Sequence, residues 1–222
     1  MVQRHNAIRD WLAAWLGRFT ERATSTEMYV PAWNTPVVVA GEPVWVEAVL
    51  QGPHGVDAEG HAVDAQGYRF DADGFRLDAH GQRVQKVKLA KLDVMFTNGD
   101  GRTAYADVSV TSAATSSAAN RAKRAETDGA AAADMVRAKR GKYPQEASPT
   151  TPMVPFVVEA LGRLSPEAHG LLTAVAPADK KVRSQVLRTA KQTLSVLVQT
   201  GLAELLLSAE PGRGVPAPAA AA

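Results

Sequence analysis

Two aspartates stand inside otherwise apolar, strand-forming runs: Asp93 in "KLDVMF" and Asp107 in "AYADVSV". Taking a carboxylate out of water is costly unless it is paired or binds a metal. Between the runs lies "TNGDG", whose Asn-Gly and Asp-Gly steps signal a hairpin. On adjacent antiparallel strands joined by a short turn, the two carboxylates can point at one spot. Hard oxygen ligands converging this way suit Mg²⁺ (or Mn²⁺), which keeps waters for a substrate phosphate. The plainer alternative makes one of the two a strand-end or turn residue. Downstream, "MVRAKRGKYPQ" supplies Lys139, Lys142 and Tyr143 at the end of a basic helix. That helix also carries Arg121, Lys123, Arg124, Arg137 and Arg140. A cation beside two carboxylates can orient or help deprotonate an attacking water, or neutralise charge developing at phosphorus. The plainer alternative here is a solvated basic face, with positive charge where the helix dipole favours it.

Several elements must position these groups. Ile8, Trp11, Leu12, Trp15 and Leu16 recur at helical spacing and predict an amphipathic N-terminal helix. "MYVPAW" and "TPVVVAGEPVWVEAVL" read as strands broken by Pro and Gly. "VKLAKLDVMF" and "RTAYADVSVTSA" read as the two arms of the hairpin. Residues 113–142 are rich in Ala, Lys, Arg and Glu and predict helix, frayed or kinked at Gly129. "YPQEASPTTP" reads as a loop and "MVPFVVEAL" as a buried strand. Ser165 is placed to cap a helix with Glu167 in its first turn. Residues 176–208 predict one long amphipathic helix or two. The expected class is α/β, a central mixed sheet flanked by helices. The expected domain spans 1–208, with 176–208 as a helical extension and 209–222, "PGRGVPAPAAAA" with its neighbours, as a disordered tail.

Between the first strand and Asp93 lies a repeat. Asp-Ala-x-Gly recurs with Asp at 57, 64, 71 and 78, a step of seven residues, across 56–84. Asp opens turns by accepting from nearby backbone N–H groups, and Gly closes them by tolerating positive φ. A narrow β-ribbon or a string of tight turns is expected. An EF-hand calcium loop needs carboxylates at positions one, three and five and a bidentate Glu at twelve. "DADGFRLDAHG" supplies the first two and then departs. The segment has Asp57, Glu59, Asp64, Asp71, Asp73 and Asp78 against Arg69, Arg76 and Arg83, so phosphates would repel it. Loops accept long insertions at small entropic cost, and the repeat reads as one.

The totals are permissive. The chain has 222 residues, a formal charge of +2 and no cysteine, which excludes disulfides and cysteine-ligated zinc. It lacks an apolar run of eighteen residues, so no spanning helix is expected. The charged N-terminus makes a poor secretory signal, and a nuclear or cytoplasmic setting is expected.

"RHNAIRDWLA", "KLDVMF", "YADVSV", "KRGKY" and "VPFVVEALGRL" occur in one order. Together they resemble the restriction-like endonuclease domain at the C-terminus of site-specific non-LTR retrotransposon polyproteins, and orphan or degenerate copies of it. The resemblance covers roughly residues 3–172, excepting the repeat. It implies the PD-(D/E)XK nuclease fold and a Mg²⁺-dependent enzyme that nicks DNA. Carried over, Asp93 and Asp107 would hold the metal, Lys139 or else Lys142 would be the catalytic lysine, and Tyr143 its companion. Glu27 in "STEMYV" would complete the metal shell, with Glu47 as a rival. Arg4, His5 and Asn6 match the stretch that opens the nuclease domain. These three, with Arg124, Arg137 and Arg140, would meet DNA. The partners implied are DNA and, within a polyprotein, reverse transcriptase and zinc-knuckle domains. Leu92 stands where the family has Pro, and Ser109 where ordinary members of the fold have Lys. A second reading keeps the fold as a non-catalytic DNA-binding or assembly module, with the apolar stretch Leu194 to Leu207 pairing with a partner helix or covering the core.

Overall fold

A computed structural model describes residues 2–50, 55–112 and 117–208. The tail expected beyond 208 lies outside the described residues. The chain divides into two units, one of Met1–Tyr29 with Lys91–Ala222 and the other of Val30–Ala90.

The first unit runs α1 (Val2–Thr20), β1 (Ser25–Tyr29), β2 (Lys91–Thr97), β3 (Thr103–Thr111), α2 (Ala118–Glu126), α3 (Ala130–Lys142), β4 (Met153–Glu159), α4 (Pro166–Val175) and α5 (Lys180–Ser208). Its sheet has the order β1-β2-β3-β4. The first two pairings are antiparallel and β3–β4 is parallel. The expected mixed sheet flanked by helices is therefore present. Alternation along the strands sends Val94, Phe96, Ala104, Ala106, Val108, Phe156 and Val158 to one face. There they meet Ile8, Leu12 and Leu16 of α1, Ala168 and Leu172 of α4, and Leu194 and Val198 of α5. On the other face Val157 packs against Ala132, Met135 and Val136 of α3. β4 is thus covered on both faces, which is why "MVPFVVE" is nearly all apolar.

Local chemistry explains the boundaries. Asn98 accepts the N–H groups of Asp100 and Arg102 at 3.1 and 2.9 Å, and Gly101 takes φ +78°, closing the β2–β3 hairpin. Gly129 neither frays nor kinks one helix. It takes φ 76° ahead of α3 and separates α2 from α3. Ser165 caps α4 by accepting the Ala168 N–H at 3.1 Å. Residues 180–208 form a single helix. Among the described residues, no helix is long and apolar enough to cross a membrane.

The second unit holds the repeat. Each Asp Oδ1 accepts the N–H groups two and four residues on, as in Asp64 with Gln66 and Tyr68 at 2.9 and 3.0 Å. Each unit's Gly has φ between +75° and +84°. Successive turns are tied by side chains twelve residues apart. Arg69 Nε donates to Asp57, Arg76 Nε to Asp64 at 2.9 Å, and Arg83 Nε to Asp71 at 2.6 Å. The same guanidiniums reach Glu59, Gln66 and Asp73. Arg76 lies over the Tyr68 ring and Arg83 over the Phe75 ring. The expected string of tight turns is thus bolted into a ladder. "TPVVVAGEPVWVEAVL" does not form long strands. Pairing there comes in two-residue pieces at Thr35–Pro36, Val38–Val39 and Glu42–Pro43, because Pro lacks a donor and Gly41 turns the chain. Residues 44–49 then run along the repeat and bond to it, as in Val46 N–H to Val84 O at 2.9 Å and Ala48 N–H to Gly74 O at 2.8 Å.

Candidate active site

β2 and β3 pair as Val94–Ala106, Met95–Tyr105, Phe96–Ala104 and Thr97–Thr103. One step further along that register, Asp93 faces Asp107. There a side chain joins the strands: the Val108 N–H donates to Asp93 Oδ2 at 2.6 Å. The other oxygen, Oδ1, lies 2.9 Å from His5 Nε2 on α1. Both oxygens of Asp93 are thereby held by separate elements.

Asp107 is buried, and so is the cation it meets. Lys139 Nζ donates to Asp107 Oδ2 and, at 3.3 Å, to the Val108 carbonyl. Helical spacing explains its aim. Ala132, Met135 and Val136 form the buried stripe of α3, and Lys139 is the next residue of that stripe. The sheet and helix that hide this lysine also deliver it to the carboxylates.

The electrostatics are strained. Burial pushes the Asp107 carboxyl up, Lys139 pulls it down, and the neighbouring Asp93 pushes it up again, leaving it at about 6. Burial also works against the Asp93 carboxylate. There His5, Asp107 and the Val108 N–H prevail, and its pKa falls below the ordinary value. Of the two neighbouring acids, Asp93 is thus the more readily ionised. Burial lowers the pKa of Lys139, with Asp107 opposing it. Lys142 sits exposed at the end of α3 with its Nζ 4.5 Å from the Tyr143 ring centroid, and reaches Asp107 and Asp93 only through its field. Of the two lysines, Lys139 is the one in contact. Tyr143 is buried and ends α3, its N–H bonded to Lys139 O at 2.9 Å.

The remaining expected residues are more scattered. Glu27 falls between the pairs Thr26–Val94 and Met28–Leu92, hence opposite Asp93, but has φ 59° and breaks the ladder there. Its carboxylate goes to Lys91, at 2.7 Å, and to Arg9, and Lys91 holds its pKa low. Glu47 belongs to the second unit, bridged to Phe75. Arg4 packs beside Gly201 of α5, and Asn6 is half-buried on α1. Arg124 and Arg137 both meet Asp134, and Arg140 meets Glu167 at 2.8 Å. Ser109 is half-buried on β3.

His5, which the resemblance places at DNA, touches Asp93. The signal available in the sequence is its place three and seven positions before Ile8 and Leu12, on the face of the helix that must lie on the sheet. Lys91, the basic residue of Lys91-Leu92-Asp93, holds Glu27 together with Arg9, which no motif marks. A further group, Asp57, Glu59 and His61, has its ligand atoms within 4.8 Å of one another among the described residues. Those groups are already engaged: Asp57 accepts the His61 and Glu59 N–H groups and Arg69, and Arg69 also holds Glu59. They are the first rung of the ladder.

No protein-family model, no curated protein and no solved structure matches this chain at a significant level.

Proposed function

We propose that the chain is a metal-dependent DNA endonuclease on a restriction-endonuclease-like fold, akin to the nicking domain of site-specific non-LTR retrotransposons. One observation carries the reading: Asp93 and Asp107 face each other on adjacent strands, and the following helix brings Lys139 onto Asp107. The donor set fits a hard divalent cation. Two carboxylates lie side by side, and Asp107 is pushed up by burial and by its like-charged neighbour, a condition that a cation would relieve. Asp93 and Asp107 would hold Mg²⁺ or Mn²⁺, which when bound polarises the scissile phosphate and acidifies its water.

The chain's own groups do the rest. Lys139 Nζ, fixed at Asp107 Oδ2, orients a water toward phosphorus, and its lowered pKa suits it to share the departing proton with Asp107. The new oxygen–phosphorus bond forms as the bond to the sugar oxygen breaks, and that oxygen leaves with a proton from solvent. Arg137, Arg140 and Lys142 stand exposed on the same helix and would contact the DNA backbone.

Incubation with supercoiled plasmid and Mg²⁺ tests this. Nicking by the wild type, absent in Asp107→Ala, is expected; equal relaxation by both overturns it. The exposure of Val196, Leu206 and Leu207 on α5 favours a second reading, an assembly module on the same fold. That reading predicts no nicking and DNA retention unchanged by Asp93→Ala.

A further inference from the structure

We infer that His5 is a positioning residue of the catalytic centre: from α1 it holds the first metal-binding carboxylate, Asp93, in place. The inference rests on the nuclease reading in one respect, that Asp93 holds the metal.

The contact spans 88 positions of sequence and joins two otherwise separate elements, the start of α1 and the start of β2. The Val108 N–H fixes Asp93 Oδ2 from β3, and His5 Nε2 fixes Oδ1 from α1. A carboxylate bonded at one oxygen still swings about its Cβ–Cγ bond. Bonded at both, its plane is set, and the lone pairs left over have fixed directions. A carboxylate oxygen accepts, so Nε2 is assigned as the donor of this bond. Donors of this kind, one step behind a metal ligand, orient it and strengthen its hold on the ion.

The anchorage of His5 is firm. Ile8 and Leu12 follow it by three and seven positions on α1, and both are fully buried in the core. Gly201 of α5 lies against Arg4, where a Cβ on residue 201 would come within 2.7 Å of the arginine. The first turn of α1 is therefore clamped between sheet and α5, and His5 cannot drift from Asp93 without disturbing both. His5 remains about one-third exposed, so its removal leaves no sealed cavity.

The test is Mn²⁺ binding by calorimetry on the full chain, read beside nicking and the thermal midpoint. His5→Ala is expected to weaken Mn²⁺ binding by about 10–100-fold while the midpoint barely moves. His5→Gln, whose Nε2 lies the same number of bonds from the backbone, is expected to restore most of the binding. In an Asp93→Ala background, His5→Ala is expected to change nothing further, because the group it positions is gone. Mn²⁺ binding unaffected by His5→Ala, or an equal loss in the Asp93→Ala background, overturns the inference and leaves the nuclease reading standing if the wild type nicks. Binding that depends on His5 in a protein that never nicks does the reverse.

Discussion

Asp64 in the repeat and Asp107 in the sheet are both buried, at 2% and 8% exposure, and both face a cation. Yet they lie on opposite sides of the ordinary aspartate range. Burial pushes Asp64 up, but the N–H groups of Val49, Tyr68 and Gln66 and the charge of Arg76 outweigh it and bring its pKa to about 2. Burial pushes Asp107 up as well, and there one lysine works against a second carboxylate, leaving it at about 6. The difference is in the company, not the depth. A carboxylate ringed by backbone donors is a permanent anion whose work is to hold a turn. One set between a lysine and a like charge is poised to gain or lose a proton near neutrality. The repeat looks more acidic in sequence, and the sheet is where acid chemistry is available.

The largest effect should come from the sheet pair. On the proposed nuclease reading, Lys139→Met is expected to reduce nicking by about 10²–10⁴-fold. It should also move the Asp107 carboxyl further above about 6, since Lys139 is what holds it down. Carboxylate ¹³C shifts read that movement directly. The matching change in the ladder, Arg76→Met, should leave nicking within a fewfold of wild type and instead expose the second unit to protease. If both variants lose nicking equally, the division between a structural and a chemical region fails.

Stability against pH sharpens the contrast, because the two signs differ. Asp107 has a folded pKa above its unfolded value of 3.8, so the stability it lends is full below that value and is lost as pH rises through about 6. Asp64 has a folded pKa below 3.8, so its contribution is full above that value and is lost as pH falls through about 2. Urea midpoints of the wild type compared with Asp107→Asn should therefore converge or reverse between pH 4 and 6. Those compared with Asp64→Asn should converge between pH 4 and 2. Two curves that bend in the same window would remove the distinction.

Much of this arrangement is legible in the sequence. Apolar alternation in "KLDVMF" and "AYADVSV" with an Asn-Gly/Asp-Gly turn implies a hairpin, and a hairpin with that spacing sets Asp93 against Asp107. Lys139 continues an apolar helical stripe, so its burial could be anticipated from period alone. What could not be read is contact at a distance. His5 meets Asp93 only because α1 packs across the sheet, and no local pattern encodes that crossing. Glu27 lies opposite Asp93 as its position suggested, but a positive φ and the cations Lys91 and Arg9 settle where its carboxylate goes. In the repeat, the seven-residue period announces turns. The pairing twelve residues on skips to the following unit, and it follows from the way the turns stack.

That twelve-residue rule yields the smallest predicted effect and the finest test. Asp57, Asp64 and Asp71 each find an Arg at the twelfth position, whereas Asp78 finds Ala90. Asp78 still holds its own turn through the N–H groups of His80 and Gln82, at 2.8 and 2.9 Å, and those bonds keep its pKa low. An Asn side chain can accept the same two bonds, so Asp78→Asn should be nearly silent in urea unfolding. Asp71→Asn keeps the turn bonds too but surrenders the charge that Arg83 faces, and should lower the midpoint measurably. The pair of variants isolates the inter-turn ion pair from the turn itself. If the two midpoints shift alike, the ladder's strength lies in its turns and the arginines are surface decoration; if only Asp71→Asn shifts, the arginines bind one repeat to the next.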